Sequence, residues 1–444
     1  GSSTYAAARN PSWSTTSPAT TIGYLNCAQS TTACGPDNEA GRGLFFSGVL
    51  NGVEWLVLTG ANPTGGTRFL YMSNAAFPTL PGPPVRNRFA YLSLEKHVDS
   101  TTTAATSGLA FENNLYLGSS DNGTLGSQGY TAPVLTRIIT TPSLPGLNAV
   151  PGTDAVDLAA SLMPGIGVNG NPANPLRGTS STVLVDTIAA FGAAPNDALY
   201  IANNGGWVRS INNNPSACVS TGSVPCPDWV VTTPSSTNYT LKTSVTVPIS
   251  KTSDFEPQDK AVPAMVAFGG RLYAARNTTL GPQLWSCIPS QDMTGTTTGN
   301  LQCGPNDWSL VAPNSALTLD AGLTQMNSNY TAISLLAAAG GYLYVGFNNT
   351  TAPSLTNPNP GIGLYRTNNP AATSVADFTG AGGCSPTGAL LGPPCQGIGG
   401  TGLGQTPALT HIFDGKALTF RNTTYLYLSA GTGTATPGIF RVAP

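Results

Sequence analysis

One short signature recurs along the chain and constrains its fold more than any other feature. Its clearest copy runs Ala267-Phe-Gly-Gly-Arg-Leu-Tyr273, with close relatives at Ala338–Tyr344 and Ala110–Tyr116. Looser copies are Asn196–Tyr200, Asn51–Trp55 and Asn422–Tyr427, and Tyr5 stands in a seventh copy that lacks its first strand. A turn-rich segment and a second short run follow each copy. These runs are Gly23–Cys27, Phe69–Ser73, Val134–Ile138, Gly206–Ser210, Leu284–Cys287, Leu364–Thr367 and Ile439–Val442. Two units add a further strand, at Asp228–Val231 and Asp307–Val311. Period-2 alternation, β-branched and aromatic enrichment, and Gly/Asn/Pro punctuation are the marks of strands joined by tight turns. The stretch around Asp154–Leu162 is the one place where a short helix is expected.

The aromatic markers at 5, 55, 116, 200, 273, 344 and 427 lie 50 to 84 residues apart. That is too long for a short-repeat solenoid and suits four-stranded propeller blades with inserted loops. The expected fold is therefore all-β: one β-propeller of about seven four-stranded blades, with long inter-strand loops and local disulfides. It is expected to occupy residues 1–444 as a single domain, in units of approximately 1–43, 44–103, 104–180, 181–260, 261–330, 331–405 and 406–444. The order Gly-Gly, Leu-Tyr, second run, Trp strand resembles the kelch class of propeller. Kelch repeats place the double glycine at the end of the Tyr-bearing strand, whereas Gly269-Gly270 and Gly340-Gly341 precede it here. The resemblance implies the architecture and no particular activity.

Eight cysteines fall as four neighbouring pairs, Cys27/Cys34, Cys218/Cys226, Cys287/Cys303 and Cys384/Cys395. No Cys-x-x-Cys spacing exists and the chain holds only His97 and His411, so a zinc site is disfavoured. Local pairing and even number imply four disulfides made in an oxidising compartment. Each pair follows the second run of its unit, where it would staple the outer strand, and closing so short a loop contributes about 2–3 kcal/mol. The chain is therefore expected outside the cell or on its surface, and the absence of a leader at Gly1 suits a mature form.

Charged residues are only 9% of the chain, against a usual value of about 25%, and the net charge is −2. No Lys/Arg run exists to track phosphates, so nucleic acid is excluded as a partner. No apolar stretch approaches the roughly 20 residues of a membrane helix.

No catalytic motif is found: there is no Gly-x-Ser-x-Gly, no His-Glu-x-x-His and no P-loop. Twenty carboxylates are scattered, and nothing singles out a glycosidase pair. No cofactor is expected. Asp254, Glu256 and Asp259 could brace the chain through Ca²⁺, although a solvated acidic loop is the simpler reading. Asp121 in Asp-Asn-Gly-Thr is first a turn residue. Trp207, Trp229, Trp285 and Trp308 are read as blade core before sugar platforms. Acceptor sequences for N-linked glycans occur at Asn122, Asn238, Asn277, Asn329, Asn348, Asn349 and Asn422.

A low-charge surface loses little to like-charge repulsion or desolvation on packing against copies of itself. The first unit lacks its innermost strand and the last stops after its third. Those features lead to the expectation of a non-catalytic, extracellular structural or adhesive protein. It would self-associate as the repeating subunit of a surface filament through strand or terminus exchange. The alternatives are a carbohydrate-binding, lectin-like propeller with glycans as partners and, behind it, a secreted hydrolase or lyase.

Overall fold

The structure, a computed structural model, describes residues 45–50, 53–61, 68–74, 90–93, 107–121, 132–138, 160–162, 185–203, 206–215, 229–234, 259–278, 281–292, 301–312, 330–350, 353, 360–372, 375–380, 397–420, 422–432 and 438–442. The chain divides into two compact units, 1–188 with 214–227, and 189–213 with 228–444. Among the described residues every long element is a strand, and helical turns are limited to short 3-10 segments such as Val375–Asp377. The fold is all-β.

The first unit holds two four-stranded antiparallel sheets. One runs β1 (Phe45–Leu50), β2 (Val53–Ala61), β3 (Arg68–Asn74) and β4 (Ala90–Ser93) in chain order. The other runs β5 (Ser107–Phe111), β6 (Asn114–Asp121), β7 (Ala132–Ile138) and β8 (Ala160–Leu162). The helix expected around Asp154–Leu162 is thus corrected over its last three residues. Ala160–Leu162 pairs antiparallel with Thr136–Ile138, where ladder hydrogen bonds to β7 override local propensity.

The next sheet, which belongs to the second unit from Ala189 onward, runs β9 (Thr187–Phe191), β10 (Ala198–Asn203), β11 (Gly206–Ser210) and β12 (Trp229–Val231), in the same meandering order. Next come β13 (Asp259–Phe268), β14 (Arg271–Thr278) and β15 (Gly281–Cys287), a two-residue ribbon of β16 (Gln291–Asp292) with β17 (Leu301–Gln302), and β18 (Trp308–Ala312) against β15. Two three-stranded sheets complete it. They are β19 (Ala332–Ala339), β20 (Tyr342–Asn348) and β21 (Gly363–Thr367), then β22 (His411–Phe420), β23 (Thr423–Gly431) and β24 (Gly438–Val442).

The signature found in the sequence is the hairpin between the first two strands of a sheet. Gly269 and Gly270 have φ of 59° and 78°, and Gly340 and Gly341 have 57° and 80°. A two-residue hairpin turn of the kind that matches strand twist requires positive φ at both positions, which glycine takes without strain. Glu112 and Asn113 take the same conformation, at 47° and 59°, without that freedom.

After the turn, the Leu-Tyr pair sends its two side chains to opposite faces. Leu272 and Ala274 pack toward Tyr200 and Trp207 of the preceding sheet, in a cluster completed by Trp285 and Trp308. Tyr273 and Ala275 pack toward Ile333, Leu343 and Val345 of the following sheet. Tyr344 repeats the pattern, joining Leu409, Ile412, Leu426 and Leu428. Each sheet therefore offers one face backward and one forward, and the stack within this unit is propeller-like. Trp207, Trp285 and Trp308 are buried in this packing and Trp229 is buried as well, in keeping with the core reading of these residues.

Candidate functional site

The forward face of a sheet is built around its tyrosine. Tyr200, Tyr273 and Tyr344 are each buried against the sheet that follows. Their hydroxyls are used in place. Tyr200 Oη donates to Gln302 Oε1 at 2.7 Å and accepts from the Cys303 amide at 2.8 Å. Tyr273 Oη donates to the Ala372 carbonyl at 3.0 Å. Burial pushes the phenol of Tyr200 well above the usual tyrosine range, with the Cys303 amide and Arg209 pulling the other way. The same cause raises Tyr273 to about 12.

On the next strand each tyrosine faces a recurrent partner. Tyr116 pairs with Arg137, Tyr200 with Arg209, Tyr344 with Arg366 and Tyr427 with Arg441, while Tyr273 meets Ser286. This Tyr–Arg rung is invisible until strand register is known, although the four arginines all lie in the second runs. Arg366 lies over the Tyr342 ring at 4.1 Å, and Arg441 repeats the arrangement over Tyr425 at 4.8 Å.

The strand on the other side of the tyrosine shows where the repeat is broken. Opposite Tyr116, Tyr273 and Tyr344 stand Leu109, Val266 and Ala337, all apolar. Opposite Tyr427 stands Lys416. Two residues earlier, where the aligned positions hold Ser107, Ala264 and Leu335, the last sheet has Asp414 opposite Ser429. Asp414, Lys416, Leu418, Ile439 and Arg441 are exposed, with Tyr425 and Tyr427 half-buried between them. The alternate residues, Leu426, Leu428 and Ala430, are buried against the β19 sheet. The backward face of the β22–β24 sheet is thus core, and among the described residues its forward face is exposed. Two tyrosine rings lie on it, flanked by Lys416 and Arg441, with Asp414 beside them.

Asp254 and Glu256 lie outside the described residues, and Asp259 opens β13 opposite Thr278. Among the described residues no three or more His, Cys, Asp or Glu side chains gather as a metal site. His97 lies outside the described residues; His411 bonds Thr410 Oγ1 through Nδ1 at 2.8 Å and stacks on exposed Phe413. Asp121 ends β6. Cys287 and Cys303 are joined in a disulfide. Cys27, Cys34, Cys218, Cys226, Cys384 and Cys395 lie outside the described residues, as do Asn122, Asn238 and Asn329. Asn422 is an exposed turn residue, whereas Asn277, Asn348 and Asn349 are buried.

No family model matches the chain, so the kelch resemblance gains no family behind it. No curated protein matches it either. Among solved structures it is similar to the α-L-arabinanase of Cellvibrio cellulosa, at 13% identity and TM-score 0.34, over 90% of each chain. It is also similar to the Trypanosoma rangeli sialidase in complex with sialic acid, at 10% identity and TM-score 0.38. That match covers 89% of this chain and 54% of the other, so this chain spans about half of the sialidase's length. One is named as an arabinanase and the other as a sialidase, both enzyme names. The expectations of a non-catalytic structural or adhesive subunit, and of a chain that is no enzyme, run against the enzyme names of these structures and are withdrawn. The filament and the self-association inferred with it are not retained. At these scores no residue role passes from either protein to this one. No helix among the described residues is long and apolar enough to cross a membrane, and the disulfide fits an oxidising compartment.

Proposed function

We propose that the chain is a secreted, carbohydrate-active propeller that holds a saccharide on the open face of the β22–β24 sheet. The observation that carries this reading is the break in the repeat. Lys416 and Asp414 occupy positions that are apolar or small in the three sheets compared above, in a chain where charged residues are only 9%. A lysine facing a covering sheet would lose its hydration without compensation, so this face is built to meet water and solutes. Tyrosine rings supply flat apolar surface with a polar tip, and Lys, Arg, Asp and Ser429 supply donors and acceptors for hydroxyl groups. An extracellular location and a glycan on Asn422 belong to the same proposal.

The test is a glycan array followed by titration of the best binder, with release of reducing ends measured on the matching polysaccharides. Saturable binding that falls at least tenfold in Tyr427→Ala, with the fold retained, is expected. Binding to no saccharide, and release from none, would overturn the reading.

A further inference from the structure

We infer that the saccharide taken by this face is anionic, held through a carboxylate or sulfate by Lys416 and Arg441; this rests on the carbohydrate reading above. Lys416, Tyr427 and Arg441 form one rung across three adjacent strands. Adjacent strands lie about 4.8 Å apart, so the two cationic residues stand about 10 Å apart with the tyrosine between them. Both point to the same face by register, and both are exposed. The face carries two cations and a single carboxylate, Asp414, whose Oδ1 accepts from the Gly415 amide at 2.7 Å. Its balance is therefore positive, while the whole chain is at −2.

The arginine is also held in place. Arg441 lies over the Tyr425 ring, as Arg366 lies over Tyr342 one sheet earlier. A planar guanidinium stacked on a ring keeps its N–H edges free for a planar or tetrahedral oxyanion, and less rotamer freedom is lost on binding. Arg366 instead spends an edge on Tyr344 Oη, at 3.4 Å. The difference between the two sheets lies on the facing strand, where Ala337 is replaced by Lys416. The lysine turns a structural Tyr–Arg rung into a pair of cations that bracket one ligand.

The experiment compares oligogalacturonate with its methyl ester, and sulfated with unsulfated galactan oligosaccharides, by calorimetric titration of the whole chain at low and high salt. Oligogalacturonate or the sulfated oligosaccharide is expected to bind at least tenfold tighter than its neutral counterpart, and to weaken as salt rises. Which of the two prevails identifies the anion. Lys416→Gln and Arg441→Gln should each reduce anionic binding about tenfold while leaving the thermal midpoint unchanged. Equal affinity for charged and neutral forms, without salt dependence, would overturn the anionic class and leave the carbohydrate reading standing. Binding of no saccharide on the array would overturn both. Resistance of Lys416 to acetylation in the free, monomeric chain would show that the chain covers this face itself, which also overturns the inference. The wild-type comparison decides the matter even where a variant fails to fold.

Discussion

Asn277 and Asn348 stand four residues after Tyr273 and Tyr344, at matching places in consecutive sheets. Each reaches forward to the innermost strand of the next sheet, just where a bulge breaks that strand's own pairing. Asn277 Oδ1 accepts from the Ile333 amide at 2.8 Å, and its Nδ2 donates to the Ile333 carbonyl at 2.9 Å. Asn348 Oδ1 accepts from the Ile412 amide at 2.8 Å. The bulge frees backbone groups in a buried place, and the asparagine satisfies them. Asn348→Ala should therefore cost about 1–3 kcal/mol, the usual cost of stranding a buried donor, and Asn277→Ala should cost more because two groups are stranded. Denaturant midpoints at constant m-value check this, and a loss under about 0.5 kcal/mol would show that water replaces the side chain. The sequence offered these asparagines only as glycan acceptors, because Asn-x-Thr is a local pattern and the strand they serve lies 56 and 64 residues further on. A glycan on Asn277 would have to displace its bond to Ile333.

At the level of elements, the disulfide between Cys287 and Cys303 does more than close its own loop. It holds the peptide of Cys303 beside the preceding sheet. The Cys303 carbonyl accepts from Arg209 Nε and from Thr232 Oγ1, both at 2.9 Å, while its amide donates to Tyr200. Gln302 Nε2 adds bonds to the carbonyls of Phe191 and Asn196, at 3.2 and 3.0 Å. The sequence made the pairing legible, since the two cysteines are 16 residues apart with no other partner nearby. It could not show that the loop docks on β10 and β11, because Arg209 and Tyr200 lie about a hundred residues away and carry no motif. Replacing both cysteines by serine should lower stability by about 3 kcal/mol through loop entropy alone. Hydrogen exchange locates the rest: amides of β10 and β11 should lose protection together with those of residues 288–292 and 301–307. Loss confined to 288–292 and 301–307 would mean that β10 and β11 do not depend on the staple.

Across the whole molecule, the repeat was legible because turn chemistry is local. Gly-Gly, Leu-Tyr and alternating runs announce hairpins without reference to any distant residue. The candidate site was not legible, since Lys416 becomes an exception only when it is set opposite Tyr427, and only register does that. The same tyrosines give the molecule a common response to alkali. Tyr200, Tyr273 and Tyr365 are buried, and burial raises all three, Tyr273 to about 12. In the unfolded chain a tyrosine ionises near pH 10. Below pH 10 both states keep the proton, and the stability that these residues contribute is complete. Above pH 10 the unfolded chain releases protons that the folded chain retains, so stability falls as pH rises, through about pH 12 for Tyr273. The slope is at most about 1.4 kcal/mol per pH unit for each such tyrosine. Denaturant midpoints taken from pH 8 to 11.5 should therefore be level at first and then drop steeply. Tyr273→Phe, which lacks an ionisable group, should start less stable through loss of its bond to Ala372 and then decline less steeply above pH 10. A midpoint that stays level to pH 11.5 would mean that these rings ionise without unfolding, against their burial between the sheets.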